Sequence, residues 1–394
     1  MTRRPSRSEP SGGVQLKGLW RVGAIFANGA ESPSCVFWRF AVLPWPTVSR
    51  PRVSLLVGNP SARTGKAARA IQHAMEVLER RRLDPELFAT LPDGATVPAL
   101  ADRLEADDVA RVIYLGGDGT FADTAKGIIL ARERHGVDVP MGMLPMGTAN
   151  DQGRSFGVHA GIKAIERNVE IIAEGIEQWL DVGRVSAIDS SGEVVLQDLW
   201  FDSWGVGLSA QILARRNRDR ERVAKVPGLR QIYRDKVVYA RAAFASYFRS
   251  LLGRSRFAAA VTVDGVCHEY KGCTDIVVKG TMLYGGDWIF APEGKPDDGK
   301  FEVIIMKRHA DWVAATISAH KRNPVTADDL AVLGLRRAEI PSGKEIEIQI
   351  FRSPRIRKLY AQLDGEELFY CDHYRIENLF HYLRIIVPLD PHWI

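Results

Sequence analysis

Three short segments of the chain combine glycine with the polar side chains that phosphate chemistry uses. They are Gly58-Asn59-Pro60-Ser61-Ala62-Arg63-Thr64-Gly65-Lys66, Gly116-Gly117-Asp118-Gly119-Thr120 and Leu144-Pro145-Met146-Gly147-Thr148-Ala149-Asn150-Asp151. Glycine lets the main chain approach a phosphate, and exposed N–H groups at a helix start attract anions. In the first segment Asn59, Ser61 and Lys66 are the candidate ligands; the GxxxxGK[ST] spacing of a P-loop is absent. In the second, Gly116, Gly117 and Gly119 bring the backbone and one carboxylate to a single ligand. Asp118 can orient phosphates or hold Mg2+, and Thr120 can cap the helix that follows. A tight turn with an Asp cap would account for one of these glycines, not three. In the third, Gly147 offers close approach, Thr148 a hydroxyl, and Asn150 and Asp151 polar groups at a helix start. A second acidic pair, Asp364-Gly365-Glu366, can present two carboxylates to one cleft, although Asp-Gly on its own also reads as a plain hairpin turn.

Competing chemistries find little support. His373 and His381 stand near the C-terminus without a third partner, which argues against a metal hydrolase, and no nucleophile elbow starts a Ser/His/Asp site. The four cysteines form no CxxC pair and read as reduced thiols. Cys267 and Cys273 flank an expected hairpin and could pair only if they sat opposite each other.

The glycine segments need strands before them and helices after them. Arg52–Val57 is a short apolar run ending in Gly-Asn-Pro, so it reads as a buried strand. Thr64 can cap a helix running to about Arg82, with Ile71, Ala74, Met75 and Leu78 on one face. Val109–Leu115 and Val139–Leu144 are two further strands, each running into its glycine segment and then a helix. This alternation predicts a parallel, doubly wound sheet, which binds ligands at the carboxyl ends of its strands. From about Leu180 the period changes to two. Val182–Ile188, Val194–Trp204, Ala258–Val263, Cys273–Val278, Phe301–Met306, Glu345–Phe351 and Leu359–Leu363 read as strands of an antiparallel sandwich or barrel. A basic helical stretch over 211–252 interrupts them. The expected organisation is a tail (1–50), an α/β domain (51–180) to which residues 375–390 could return, and a β domain (181–374).

With 394 residues, two domains is the natural expectation. Apolar residues make up 46% and charged residues 26%, which excludes a wholly disordered chain and a polytopic membrane protein. The net charge of +5 favours anionic partners without choosing among them. The tail opens on a basic stretch and continues into an aromatic-rich one. It fits a signal peptide poorly, and reads as an appended segment or an over-extended start. Aromatics are not interleaved with the basic residues of 215–230, so nucleic acid is not an expected partner.

Taken together, GNPSARTGK, GGDGT and LPMGTAND, in this order, resemble the catalytic domain of diacylglycerol and sphingosine kinases. Bacterial soluble diacylglycerol kinases and YegS-like lipid kinases are the nearest in pattern. Tyr284-Gly285-Gly286-Asp287, Ile289–Pro292, Pro296–Val303 and Leu363–Glu366 resemble later segments of the same family. Ala122-Asp123 and Asp287 depart from its usual pattern. The resemblance implies an NAD-kinase-like α/β domain followed by an antiparallel β-sandwich domain, with a nucleotide cleft between them. It implies ATP and Mg2+ as cofactors and transfer of a phosphoryl group to a lipid hydroxyl, diacylglycerol or a related lipid. Asp364 is the implied general base, with Glu366 as its partner and Asp118 at the phosphates. Asp298, with the carbonyls of Lys295 and Lys300, resembles the family's structural metal site. The implied setting is cytoplasmic, with docking on a membrane surface through the basic stretch. A sheet edge could pair two copies as a homodimer. An NAD kinase and a non-catalytic nucleotide- or lipid-binding regulator are the alternatives.

Overall fold

The computed structural model describes residues 52–62, 66–147, 150–224, 256–284, 288–289, 291, 294–307, 340–353, 356 and 358–389. The 1–50 tail and the basic stretch beyond Ala224 lie outside the described residues. The chain from Ser49 onward forms one compact unit.

The first part alternates strand and helix: β1 (Val53–Gly58), α1 (Lys66–Arg80), β2 (Pro85–Ala89), α2 (Thr96–Leu104), β3 (Val109–Gly116), α3 (Asp118–His135), β4 (Met141–Pro145), α4 (Asp151–Ser155) and α5 (Ile165–Glu174). The strands are parallel, in the order β2-β1-β3-β4. Alternation along each strand sends side chains to opposite faces. Leu55, Val57, Val112 and Tyr114 pack with residues of α2 and α3 such as Leu100, Phe121 and Ile128. Leu56, Ile113 and Leu115 pack on the other face against Ile71, Ala74 and Leu78 of α1 and Val169 and Ile172 of α5. Helices therefore cover both faces, as expected of a doubly wound sheet.

The second part is antiparallel. Its strands are β5 (Glu177–Ile188), β6 (Val194–Trp200), β7 (Ser203–Gly207), β8 (Phe257–Val263), β9 (Val266–Cys273), β10 (Asp275–Lys279), β11 (Leu283–Tyr284), β12 (Trp288–Ile289), β13 (Phe301–Met306), β14 (Ser342–Gly343), β15 (Glu345–Phe351), β16 (Ala361–Leu363), β17 (Glu366–Leu368) and β18 (His373–Ile386); helix α6 (Leu208–Ala224) follows β7. One sheet has the order β14-β13-β10-β7-β16-β17. The other continues the parallel sheet through β18, β15, β8 and β9, with β5 paired to β18 and β6 to β5. Between the two sheets lies an apolar layer that includes Val185, Trp204, Val261, Ile276, Val303, Ile348 and Ile376. The architecture is thus α/β plus an antiparallel sandwich, the class read from the sequence.

Three details differ from the sequence expectations. The apolar run at 194–204 is two strands, not one. β6 ends at Trp200 and β7 begins at Ser203, and the two belong to different sheets. β18 is a 14-residue strand whose register with β5 runs from His373↔Ile188 to Ile386↔Glu177. Cys267 and Cys273 both lie on β9, beyond the Asp264-Gly265 turn, and both thiols are free. None of the described helices is long and apolar enough to cross a membrane.

Candidate active site

The three glycine segments leave the carboxyl ends of neighbouring strands. Gly58 lies in register with Leu115, and Gly116 with Pro145. In the first loop the Asn59 Oδ1 accepts from the Ser61 N–H at 3.0 Å and from its hydroxyl at 2.7 Å. Lys66 is the first residue of α1. Thr148 lies outside the described residues.

The second and third loops touch through their backbones. A Cβ on Gly147 would lie 2.6 Å from the Cα of Gly117, and one on Gly117 would lie 3.2 Å from the Cα of Gly147. Only glycine allows this approach on both sides. The Thr120 side chain fills the space beside Gly116, whereas Gly119 faces open space. Asn150, buried and left-handed at φ 57°, accepts the Gly147 N–H through Oδ1 at 2.6 Å. Its own N–H donates to Asp118 Oδ2 at 3.0 Å. Burial raises the proton affinity of Asp118; the Asn150 N–H opposes this, and the charge of Asp202 adds to it. Asp151 is buried at the start of α4.

Asp364 and Gly365 are both left-handed, at φ 46° and 82°, and join β16 to β17 as a two-residue hairpin. The turn that Asp-Gly favours is therefore present. The Asp364 carboxylate accepts three main-chain N–H groups: Phe201 at 2.9 Å on Oδ2, and Asp202 at 2.8 Å and Ser203 at 3.0 Å on Oδ1. Its own N–H donates to Ser203 O at 2.8 Å. Burial, followed by the nearby Asp202 charge, raises its pKa to about 7, and the three N–H groups only partly offset this. Glu366 opens β17 and is exposed.

Asp202 was not legible in the sequence, yet its charge acts on both Asp118 and Asp364. Its Oδ1 takes the Lys279 ammonium at 2.6 Å and the Thr281 hydroxyl at 2.6 Å; all three residues are buried. Lys279 also donates to the carbonyl of Leu283. Edge-on packing of Tyr114 on Phe121 (5.3 Å) and of Phe121 on Phe201 (5.6 Å) ties β3 and α3 to the turn holding Asp202. The only signal in the sequence was an acid inside the aromatic run LWFDSW.

Lys295, Asp298 and Lys300 lie in the loop before β13. Asp298 Oδ1 accepts the Lys300 N–H at 3.1 Å. A second unforeseen acid, Asp181 of β5, accepts from Gly299 N (2.6 Å) and His381 N (2.9 Å), and its N–H donates to Pro296 O (2.8 Å). One carboxylate plus main-chain carbonyls is an oxygen set of the type Mg2+ accepts, with water completing the shell. Among the described residues no three His, Cys, Asp or Glu side chains converge as a metal cluster.

Residues 53–185 match the diacylglycerol kinase catalytic domain. A diacylglycerol kinase of Mycobacterium tuberculosis (strain ATCC 25618 / H37Rv) is 27% identical over 251 residues, covering 63% of this chain and 71% of the relative. A "probable lipid kinase YegS-like" of Xanthomonas campestris pv. campestris (strain 8004) is 23% identical, covering 81% and 92%. A solved diacylglycerol kinase structure from Bacillus anthracis str. Sterne superposes with a TM-score of 0.58 at 19% identity, covering 86% of this chain and 98% of that one, and shares the fold. The names of the family and of these relatives are those of phosphotransferases, the enzyme class expected from the motifs. The resemblance read from the glycine loops is borne out: residues 53–185 are similar to the diacylglycerol kinase catalytic domain.

Proposed function

We propose that this protein is an ATP- and Mg2+-dependent lipid kinase that transfers the γ-phosphate to a lipid hydroxyl, with diacylglycerol the first acceptor to test. The observation that carries this reading is the convergence of two aspartates from distant segments on Asp202. Asp118 comes from the interleaved glycine loops, and Asp364 from the β16–β17 hairpin. The family name and the relatives' names support the lipid acceptor.

The residues fit a nucleotide. Gly117 and Gly147 let the second and third loops close on each other, and Gly119 faces open space. Helix α3 presents its N-terminus beside them, where an anion is stabilised. Asn59 and Ser61 follow Gly58 at the end of β1, and Lys66, the first residue of α1, completes the first loop's candidate ligands. Mg2+, when bound, neutralises charge on the transferring phosphoryl group; in the 295–300 loop, Asp298 and the carbonyls of Lys295 and Lys300 would hold a second, structural ion. Asp364 accepts the proton of the lipid hydroxyl as its oxygen bonds to the γ-phosphorus. The bond to the β-phosphate oxygen breaks and ADP leaves. A carboxylate of ordinary acidity is a weak base; one raised to about 7 is matched to this task near neutral pH. Arg218 of α6, over the Tyr360 ring, is the candidate contact for anionic head groups.

The test is transfer of label from γ-labelled ATP into a panel of lipids in mixed micelles, with NAD as a competing acceptor. Labelling of a lipid supports the reading; labelling of NAD alone contradicts it.

A further inference from the structure

Asp202 and Lys279 are the charged pair nearest to the proposed base, and neither carries a role in the reading above. Lys279 is fully buried at the end of β10, and Asp202 lies in the crossing between the two sheets. The same three-residue turn, Phe201-Asp202-Ser203, uses its main chain and a side chain for different partners. The three N–H groups hold the Asp364 carboxylate. The Asp202 side chain turns the other way, to Lys279 and Thr281. The Gly280 N–H adds a further tie, to the Asp202 carbonyl at 3.0 Å. β10 thus anchors the turn that anchors Asp364.

From this geometry we infer that Asp202, clamped by Lys279 and Thr281, is a positioning residue for Asp364: it fixes the donors that hold the carboxylate and places a like charge beside it. Desolvation consumes much of the attraction in a buried ion pair. Among the described residues, the like charge acting on Asp364 is Asp202; Lys279 of β10 holds Asp202, Asp118 at the start of α3 feels the same Asp202 charge, and the exposed Glu366 and Glu367 follow on β17. Removing the Asp202 charge removes that like charge, so Asp364 gives up its proton at lower pH.

This inference rests on Asp364 being the base, so Asp202→Asn and Asp364→Asn are compared in the same lipid-phosphorylation assay. Asn at 202 still accepts from Lys279 and Thr281, so the turn keeps its shape while the charge is lost. We expect kcat to fall by about tenfold, the scale of a mispositioned general base, with KM for ATP little changed. The acid limb of the kcat–pH profile moves to lower pH, by about half a unit or more for a neighbouring charge. A purely structural role would lower the rate at every pH and leave the limb in place; that result overturns the inference. Should Asp202→Asn fail to fold, Thr281→Val removes one clamp and leaves the charge pair intact. It is expected to lower kcat several-fold with KM for ATP unchanged, and an unchanged kcat overturns the inference. Full activity of Asp364→Asn would overturn the reading of the base itself, whereas its inactivity beside a wild-type profile for Asp202→Asn would overturn only the clamp.

Discussion

Single carboxylates carry the chemistry, and their surroundings set what they can do. Asp364 is half-buried beside a like charge, and desolvation together with that charge raises its pKa to about 7 despite three N–H donors. A base must be unprotonated to act. Raising the pH through about 7 should therefore switch kcat/KM on, and lowering it should switch it off with a slope of one proton; a profile flat from pH 5.5 to 8 would contradict this role. Asp364→Asn keeps the hairpin and loses the base, so lipid phosphorylation should fall by about a hundredfold or more while ATP still binds. Gly147→Ala places a methyl 2.6 Å from the Cα of Gly117. The two loops must then separate, and KM for ATP should rise by about tenfold, since small misplacements are costly at reacting centres. The glycine loops were legible because three glycines around one acid have no economical structural explanation. Asp202 was not legible: an acid within LWFDSW reads as one polar position on an alternating strand.

Strands and turns decide where those residues meet. The 194–204 run carries a single periodic signal, yet it changes sheets at Phe201-Asp202 because Asp364, more than 160 positions away, captures the N–H groups that a continuous strand would have given to its neighbours. Only a long-range partner explains the break, and local periodicity carries no such information. Lys279 was hidden in the same way, at the end of an otherwise apolar strand. Its environment makes a strong prediction. Lys279→Met leaves Asp202 buried without its cation and should cost about 3–5 kcal/mol, whereas Lys279→Met with Asp202→Leu should recover most of the loss. Urea midpoints at unchanged slope would measure both; a single variant as stable as wild type would show that the pair is not desolvated in solution.

At the scale of the whole molecule, the two parts share a sheet rather than meeting as separate bodies. β18 pairs with β5 along most of its length, reaches β4 at Ile385↔Met141 and borders β15, so parallel and antiparallel strands form one surface. Its length was not legible, because HYRIENLFHYLRII mixes charged and aromatic residues with weak alternation. A chain ending at Asp372 should lose cooperative unfolding altogether, since both sheets' shared layer contains Tyr374 and Ile376; a sharp thermal transition by circular dichroism in that truncation would show that the parts fold apart. The Phe201-Asp202 turn, which leads from β6 of this sheet to β7 of the other, ties it to the Asp364 hairpin, and phosphoryl transfer requires a scaffold that holds its groups in place.

The most direct test of the account is label transfer from γ-labelled ATP with Mg2+ into diacylglycerol and related lipids in mixed micelles. The account predicts a labelled lipid whose formation disappears in Asp364→Asn. An unlabelled lipid panel with bound ATP, or label on a water-soluble acceptor alone, would contradict it.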